Sequence, residues 1–239
     1  LLAGATVIDG IAGAPLENAV VVIRNERIDA IARQGEGAIP AGARVIDVSG
    51  KWLVPGLVDA HVHFFQSGGL YTRPDVIDLR HIRPYEDEIA RIRERLPETL
   101  ERYLASGITS VVDLAGPGWT YELRSLAGDT VASPRVMLSG PGLTAQLPAG
   151  LVGKHAPAFV VRSPEEAQAV VRRLAAQRPD FLKIWFSPAR GMNLAREFTW
   201  IRAAIREAHS LGLRVAVHAT QLEIARRMVD AGADILVHS

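Results

Sequence analysis

The chain has no cysteine. That excludes disulfides and thiolate metal sites, so any bound metal must rest on nitrogen or oxygen donors. It also has no excess of either charge. Its 27 Lys and Arg stand against 26 Asp and Glu, a net charge of +1, which gives no electrostatic draw toward nucleic acid or an anionic membrane. No run approaches the ~20 apolar residues of a membrane-crossing helix. No Gly-x-Gly-x-x-Gly follows a strand-like run, which argues against a dinucleotide-binding open sheet. The chain begins at Leu1 rather than Met, already strand-like, and shows no signal-peptide pattern. The cytoplasm is therefore the expected compartment, with secretion left open.

What is present divides at about residue 54. Residues 1–54 read as short β segments, with a hairpin expected where Asn25-Glu26-Arg27 interrupts two apolar runs. No helical period appears there, so 1–54 is expected to be a small β-sandwich unit. Residues 55–239 instead alternate apolar runs with helical stretches. The runs are 56–64, 108–115, 134–140, 180–186, 213–219 and 233–239. Near-continuous apolar strands suggest a parallel sheet buried on both faces. Ser163-Pro164-Glu165-Glu166 offers a capped helix start, followed by a stripe of Ala167, Val170, Val171, Leu174 and Ala175. Ile201, Ala204, Ile205 and Ala208 make a second stripe. Thr220 to Glu223 reads as another capping box, leading into Leu222, Ala225 and Val229. Gly107, Gly212 and Gly232 follow helical runs, where a left-handed residue is favoured. The expected architecture is an α/β fold, a (β/α)8 barrel of the TIM type. With the roughly 250 residues such barrels take, it is expected to be cut after about six strands, so 55–239 would be the N-terminal part of the barrel.

The histidines carry the chemistry. His61 and His63 lie two apart on the first barrel run and share a face, opposite Val58, Ala60 and Val62, which are expected on a packed outer face. His218 closes the run 213–219 and His238 closes 233–239. All four mark C-terminal strand ends, which converge on the mouth where barrel active sites lie. His81, His155 and His209 fall in loops or on a helix. Neutral imidazole is a favoured ligand for zinc-like ions. Lys183 lies in Phe181-Leu182-Lys183-Ile184-Trp185-Phe186, too apolar for an unpaired ammonium. Burial lowers a lysine pKa, and a neutral amine can react with carbon dioxide to give a carbamate able to bridge two cations.

On His61-Val62-His63, the preceding Gly50 to Leu57, and Lys183, His218 and His238, the chain resembles the metal-dependent amidohydrolase superfamily. Residues 107–113, 134–140 and 181–184 look most like its Xaa-Pro dipeptidase-like and imidazolonepropionase-like branch. The resemblance implies two divalent ions, zinc first and otherwise manganese, cobalt or iron. His61 and His63 would hold one, His218 and His238 the other, with carboxylated Lys183 between them. It implies a hydroxide between the ions as nucleophile, with Lys183, His218 and His238 as catalytic residues, and hydrolysis of an amide-type C–N bond in a dipeptide or N-acyl amino acid. The family also places an aspartate general base on the eighth barrel strand, which is expected beyond Ser239; Asp59 and Asp113 read as structural. Ser139 to Pro157 reads as a substrate loop in which His155, beside Lys154, stands where relatives carry a Gly-Gly-His-like stretch. The expected partners are a small-molecule amide and a second copy of the chain, with no nucleic acid and no membrane. A lactonase or phosphotriesterase-like esterase on the same centre is the alternative enzyme, and a non-catalytic amidohydrolase-like scaffold the alternative outside enzymes.

Overall fold

The computed structural model describes residues 1–11, 13–36, 40–129 and 132–238. They fall into two compact units, Leu1–Gly56 and Leu57–Ser239.

The first unit is one five-stranded sheet among the described residues, where two packed sheets were expected. β1 (Leu2–Val7) pairs antiparallel with β2 (Leu16–Arg24), and β2 with β3 (Arg27–Arg33). Asn25 and Glu26 both take positive φ, 48° and 63°, the requirement of the tight two-residue turn that matches strand twist. β4 (Ile46–Asp47) and β5 (Trp52–Leu53) follow one another along the free edge of β1, both parallel to it. They therefore extend one sheet instead of starting a second.

The second unit is TIM-barrel-like α/β. Each apolar run becomes a strand: β6 (Leu57–Val62), β7 (Ile108–Asp113), β8 (Arg135–Leu138), then β11 (Phe181–Trp185), β12 (Arg214–His218) and β13 (Ile235–Val237). Between β8 and β11 lie two three-residue strands, β9 (Gly142–Thr144) and β10 (Ala158–Val160), inside or beside the stretch read as a loop. All pairings are parallel, but they form two sheets, β6-β7-β8 and β10-β9-β11-β12-β13, and no closed barrel is formed among the described residues. The break has a local cause. β8 and β9 are one extended run interrupted at Ser139-Gly140-Pro141, where Gly140 takes φ 64° and Pro141 has no N–H to donate. A Cβ on Gly140 would lie 2.3 Å from the Tyr121 ring, so no larger residue fits that bend.

The helices follow their caps. α1 (Tyr85–Glu94) and α2 (Leu96–Ala105) lie between β6 and β7, and α3 (Leu123–Asp129) between β7 and β8. α4 (Pro164–Ala175) starts where Ser163 Oγ accepts from the Glu166 N–H at 3.2 Å. α5 (Leu194–Ser210) buries Ile201, Ala204, Ile205 and Ala208 together with Phe198 and Trp200 against β11 and β12. Each large apolar side chain so buried contributes about 1.5–3 kcal/mol, which makes this wedge the anchor of β11 and β12.

α6 (Leu222–Asp230) corrects two expectations. Its N-cap is Gln221 and no side chain caps it, so Thr220 lies one residue too early for a capping box. Glu223 pairs with Arg227 at 2.7 Å instead. The buried stripe is Ile224, Ala225 and Met228, while Leu222 and Val229 are exposed. The two stripes share Ala225 and differ by about one residue of helical rotation. β6 is also an edge strand, and Val58 and Ala60 are exposed instead of packed; only Val62 is buried on that face.

Candidate metal centre

The strands present their ends to one place. Val62 packs outward on Leu96 and Leu100 of α2, which turns His61 and His63 to the opposite face. Their Nε2 atoms stand 3.1 Å apart. His63 Nδ1 lies 2.9 Å from the Ala115 carbonyl oxygen. That oxygen can only accept, so the Nδ1 carries the proton and Nε2 keeps its lone pair. Ala115 holds this carbonyl in place at φ 104°, a strained conformation for an L residue of the kind found at functional sites. Asp59 Oδ1 accepts from the His61 backbone N–H at 3.3 Å, which pins the backbone just before the pair.

On β12, Ala216 joins an interior cluster with Val112, Phe181 and Val237, and His218, two residues on, points the same way. β13 needs a different device. Ile235 and Val237 face the interior cluster, so alternation alone would turn His238 outward. His238 instead adopts φ 62°. Its ring centroid then lies 4.5 Å from that of His61 and 5.0 Å from that of His218. Lys183, two residues after Phe181, is 3% exposed. It packs over Gly142, where a Cβ would come within 3.3 Å of its Cγ. Among the described residues no carboxylate pairs with Lys183.

Charge explains what this cluster can hold. Burial pushes the Lys183 ammonium down to about 8. Burial, then the field of the neighbouring histidines and Lys183, takes His61 down to about 3. Burial is again the larger cause for His63 and His218, each at about 4, and it also lowers His238. At neutral pH the four imidazoles are therefore uncharged, with lone pairs available for a cation. Among the described residues no three His, Asp or Glu side chains close on a single point as a ready metal cage; the imidazoles meet in edge-on and tilted pairs. The donor chemistry still fits divalent ions: neutral nitrogen ligands and one amine low enough in pKa to take up carbon dioxide.

Asp113 lies beside this cluster. Asp113, which read as structural, is wholly buried, and its Oδ1 lies 4.0 Å from His63 Nδ1. Neither carboxylate oxygen makes a hydrogen bond. Burial raises its pKa well above the ordinary value. Its sequence signal is an acid inside the apolar run 108–115, at the last residue of β7. His155 does not join the ring. Its charged neighbours are Lys154, Glu86 and Arg93, and its ring packs edge-on to Tyr85 at 6.4 Å. His209 pairs with Asp234 at 2.8 Å, and Asp234 also accepts from the Val215 N–H, so this histidine ties α5 to the base of β12.

Comparison with known proteins identifies the family. The model of the amidohydrolase family matches residues 52–238. An imidazolonepropionase of Mesorhizobium japonicum is 29% identical over 250 aligned positions, covering 91% of this chain and 57% of that protein. A dihydroorotase of Pelotomaculum thermopropionicum is 44% identical over 68 residues, 28% of this chain and 15% of its own length. Among solved structures, a prolidase complexed with N-methylphosphonate-L-proline superposes with a TM-score of 0.76 at 27% identity, covering 98% of this chain and 59% of that one. The chain thus spans well under two thirds of these relatives. With residues 52–238 matched, the chain belongs to the amidohydrolase family, whose members generally use divalent metal ions.

Proposed function

We propose that this chain supplies the metal-binding half of a hydrolase that cleaves an amide-type C–N bond, with dipeptides and N-acyl amino acids as the substrate class. The observation that carries the reading is the convergence of His61, His63, His218 and His238, all held neutral, beside a buried Lys183 without a partner carboxylate. The prolidase and imidazolonepropionase names of its relatives support the bond type.

His61 and His63 would hold one divalent ion, His218 and His238 a second, and Lys183 as a carbamate would lie between them. Zinc is the first choice, with manganese, cobalt or iron also suited to nitrogen and oxygen donors. Ions bound there would acidify a water and polarise the scissile carbonyl. The residues themselves bind and orient. Ala115 fixes the His63 tautomer, Asp59 fixes the backbone of His61, and the left-handed turn at His238 aims its ring inward. The apolar layer of Val112, Phe181, Ala216 and Val237 closes the floor against water. Among the described residues the only carboxylate within 4.0 Å of an imidazole nitrogen of these four histidines is Asp113, behind His63.

The test is turnover by the intact protein of Xaa-Pro dipeptides, N-acyl amino acids and lactones, before and after chelation. Amide turnover that chelation removes and zinc restores supports the reading. Lactone turnover alone, or chelator-insensitive turnover, contradicts it.

A further inference from the structure

A cavity of about 610 Å³ opens between α1, α2 and the loop after β6. None of its walls comes from β11, β12 or β13, and of the histidine ring only His63 borders it. Glu88, Arg91, Ile92 and Arg95 line it from one face of α1 and its C-cap. Thr99, Arg102, Tyr103 and Ser106 repeat that helical spacing on α2. The charges on these walls do not cancel. Glu88 is already occupied, accepting from Arg83 at 2.9 Å and from Ser67 Oγ at 3.3 Å. Glu98 lies between two guanidiniums, that of Arg95 at 3.0 Å and that of Arg102. One carboxylate between two arginines leaves positive charge over. Arg91 adds to it: among the described residues its side chain pairs with no carboxylate and makes no hydrogen bond.

We infer that this cavity binds a small organic carboxylate with an apolar body, the carboxylate on Arg91 and the body on Phe64, Ile92 and Leu96. The inference does not depend on the hydrolase reading. A guanidinium is a planar fork of donors that matches a carboxylate, and Arg95 and Arg102 already hold one in Glu98. A ligand cation would meet like charge. A neutral ligand would leave the Arg91 fork without its charged partner. The second charge of a phosphate monoester would need a further cation, and Glu98 occupies both of the others. Phe64, Ile92, Leu96 and Ile108 supply the apolar wall, with Phe64 edge-on to Tyr103 at 5.8 Å, which suits an aryl or alkyl body. Burial, then the Asp59 and Asp113 carboxylates, raises the Tyr103 phenol above its ordinary value, so it remains a donor at neutral pH.

The probes are hydrocinnamate, hydrocinnamyl alcohol and phenyl phosphate, titrated calorimetrically into the intact, zinc-loaded protein. Hydrocinnamate is expected to bind about tenfold more tightly than the alcohol, the range of a charge-assisted hydrogen bond, more tightly than the phosphate, and less tightly in high salt. Arg91→Gln should erase the preference for the acid. Glu98→Gln should strengthen acid binding, because it removes the opposing carboxylate and releases Arg95 and Arg102. Both side chains are exposed, so both variants should keep the parental circular dichroism. A preference for the acid that survives Arg91→Gln puts the carboxylate on the metal ions and overturns the assignment. Equal binding of acid and alcohol, tightest binding of the phosphate, weaker acid binding in Glu98→Gln, or no binding at all overturns it too. None of these results bears on amide turnover, so the hydrolase reading stands or falls separately.

Discussion

His61 Nε2 and His63 Nε2 face each other at 3.1 Å, while the other nitrogen of His63 is held by the Ala115 carbonyl oxygen at 2.9 Å. Two ring nitrogens so placed share either one proton or one cation. With both imidazoles far below their ordinary pKa, both are uncharged at neutral pH, and each has a tautomer that presents its Nε2 lone pair to a cation. Replacing His63 by Ala should therefore lower bound metal from about two ions to about one or fewer, measured by plasma mass spectrometry after dialysis, in a protein whose circular dichroism is unchanged. Full stoichiometry in that variant contradicts the pairing.

The metal-free protein should depend on pH with a definite sign. The pKa values of His61, His63 and His218 are about 3, 4 and 4 folded against 6.5 ordinarily. Between about pH 4 and 6.5 the unfolded chain thus binds more protons, so stability rises with pH across that window and is lost on acidification. Lys183, at about 8 against 10.5, has the same sign over a higher window, about pH 8 to 10.5. Thermal melts should show His61→Gln flattening the lower rise relative to the parent and Lys183→Met flattening the upper one. Unchanged pH profiles in both variants would rule out these shifts.

Gly142 gives Lys183 its space. A methyl there would meet the Lys183 carbonyl oxygen at 3.0 Å and its Cγ at 3.3 Å. Gly142→Ala should cost about 1–3 kcal/mol, the usual range for overpacking, read from urea unfolding. It should also weaken metal binding in a competitive chelator titration. An Ala variant of parental stability and affinity would show that the contact is loose.

Asp113 separates stability from binding. Its carboxyl is buried without a partner, and its folded pKa is raised. The folded state therefore holds a proton that the unfolded state gives up, and stability falls as pH rises from about 4 toward the folded value. Asp113→Asn should raise the Tm of metal-free protein at pH 8. It should also weaken metal binding by about tenfold, the low end for loss of a group supporting a ligating histidine. A lower Tm with undiminished affinity would make Asp113 a purely structural residue.

Much of this was legible before the structure. The apolar runs 108–115, 180–186 and 213–219 declare buried parallel strands because both faces are covered. The histidine spacing declares a shared face, because the strand period is two. Other features have no local signature. β9 and β10 are three residues long, Gly142-Leu143-Thr144 and Ala158-Phe159-Val160, too short to stand out as strand-length apolar runs. The inward turn of His238 depends on one positive φ beyond the strand, which neither spacing nor composition encodes. The phase of α6 was misread because Leu222 and Val229 fit a helical stripe as well as Ile224 and Met228 do. Tyr85 and His155 meet from distant segments, and that contact exists only in the fold.

The central claim is that this histidine ring and Lys183 hold metal. The most direct measurement is the divalent metal content of the intact, folded protein after loading with zinc and bicarbonate and exhaustive dialysis, beside the Lys183→Ala variant. The account predicts about two ions per chain, falling markedly in the variant. A folded protein that retains none, or a variant that retains as many as its parent, would contradict it.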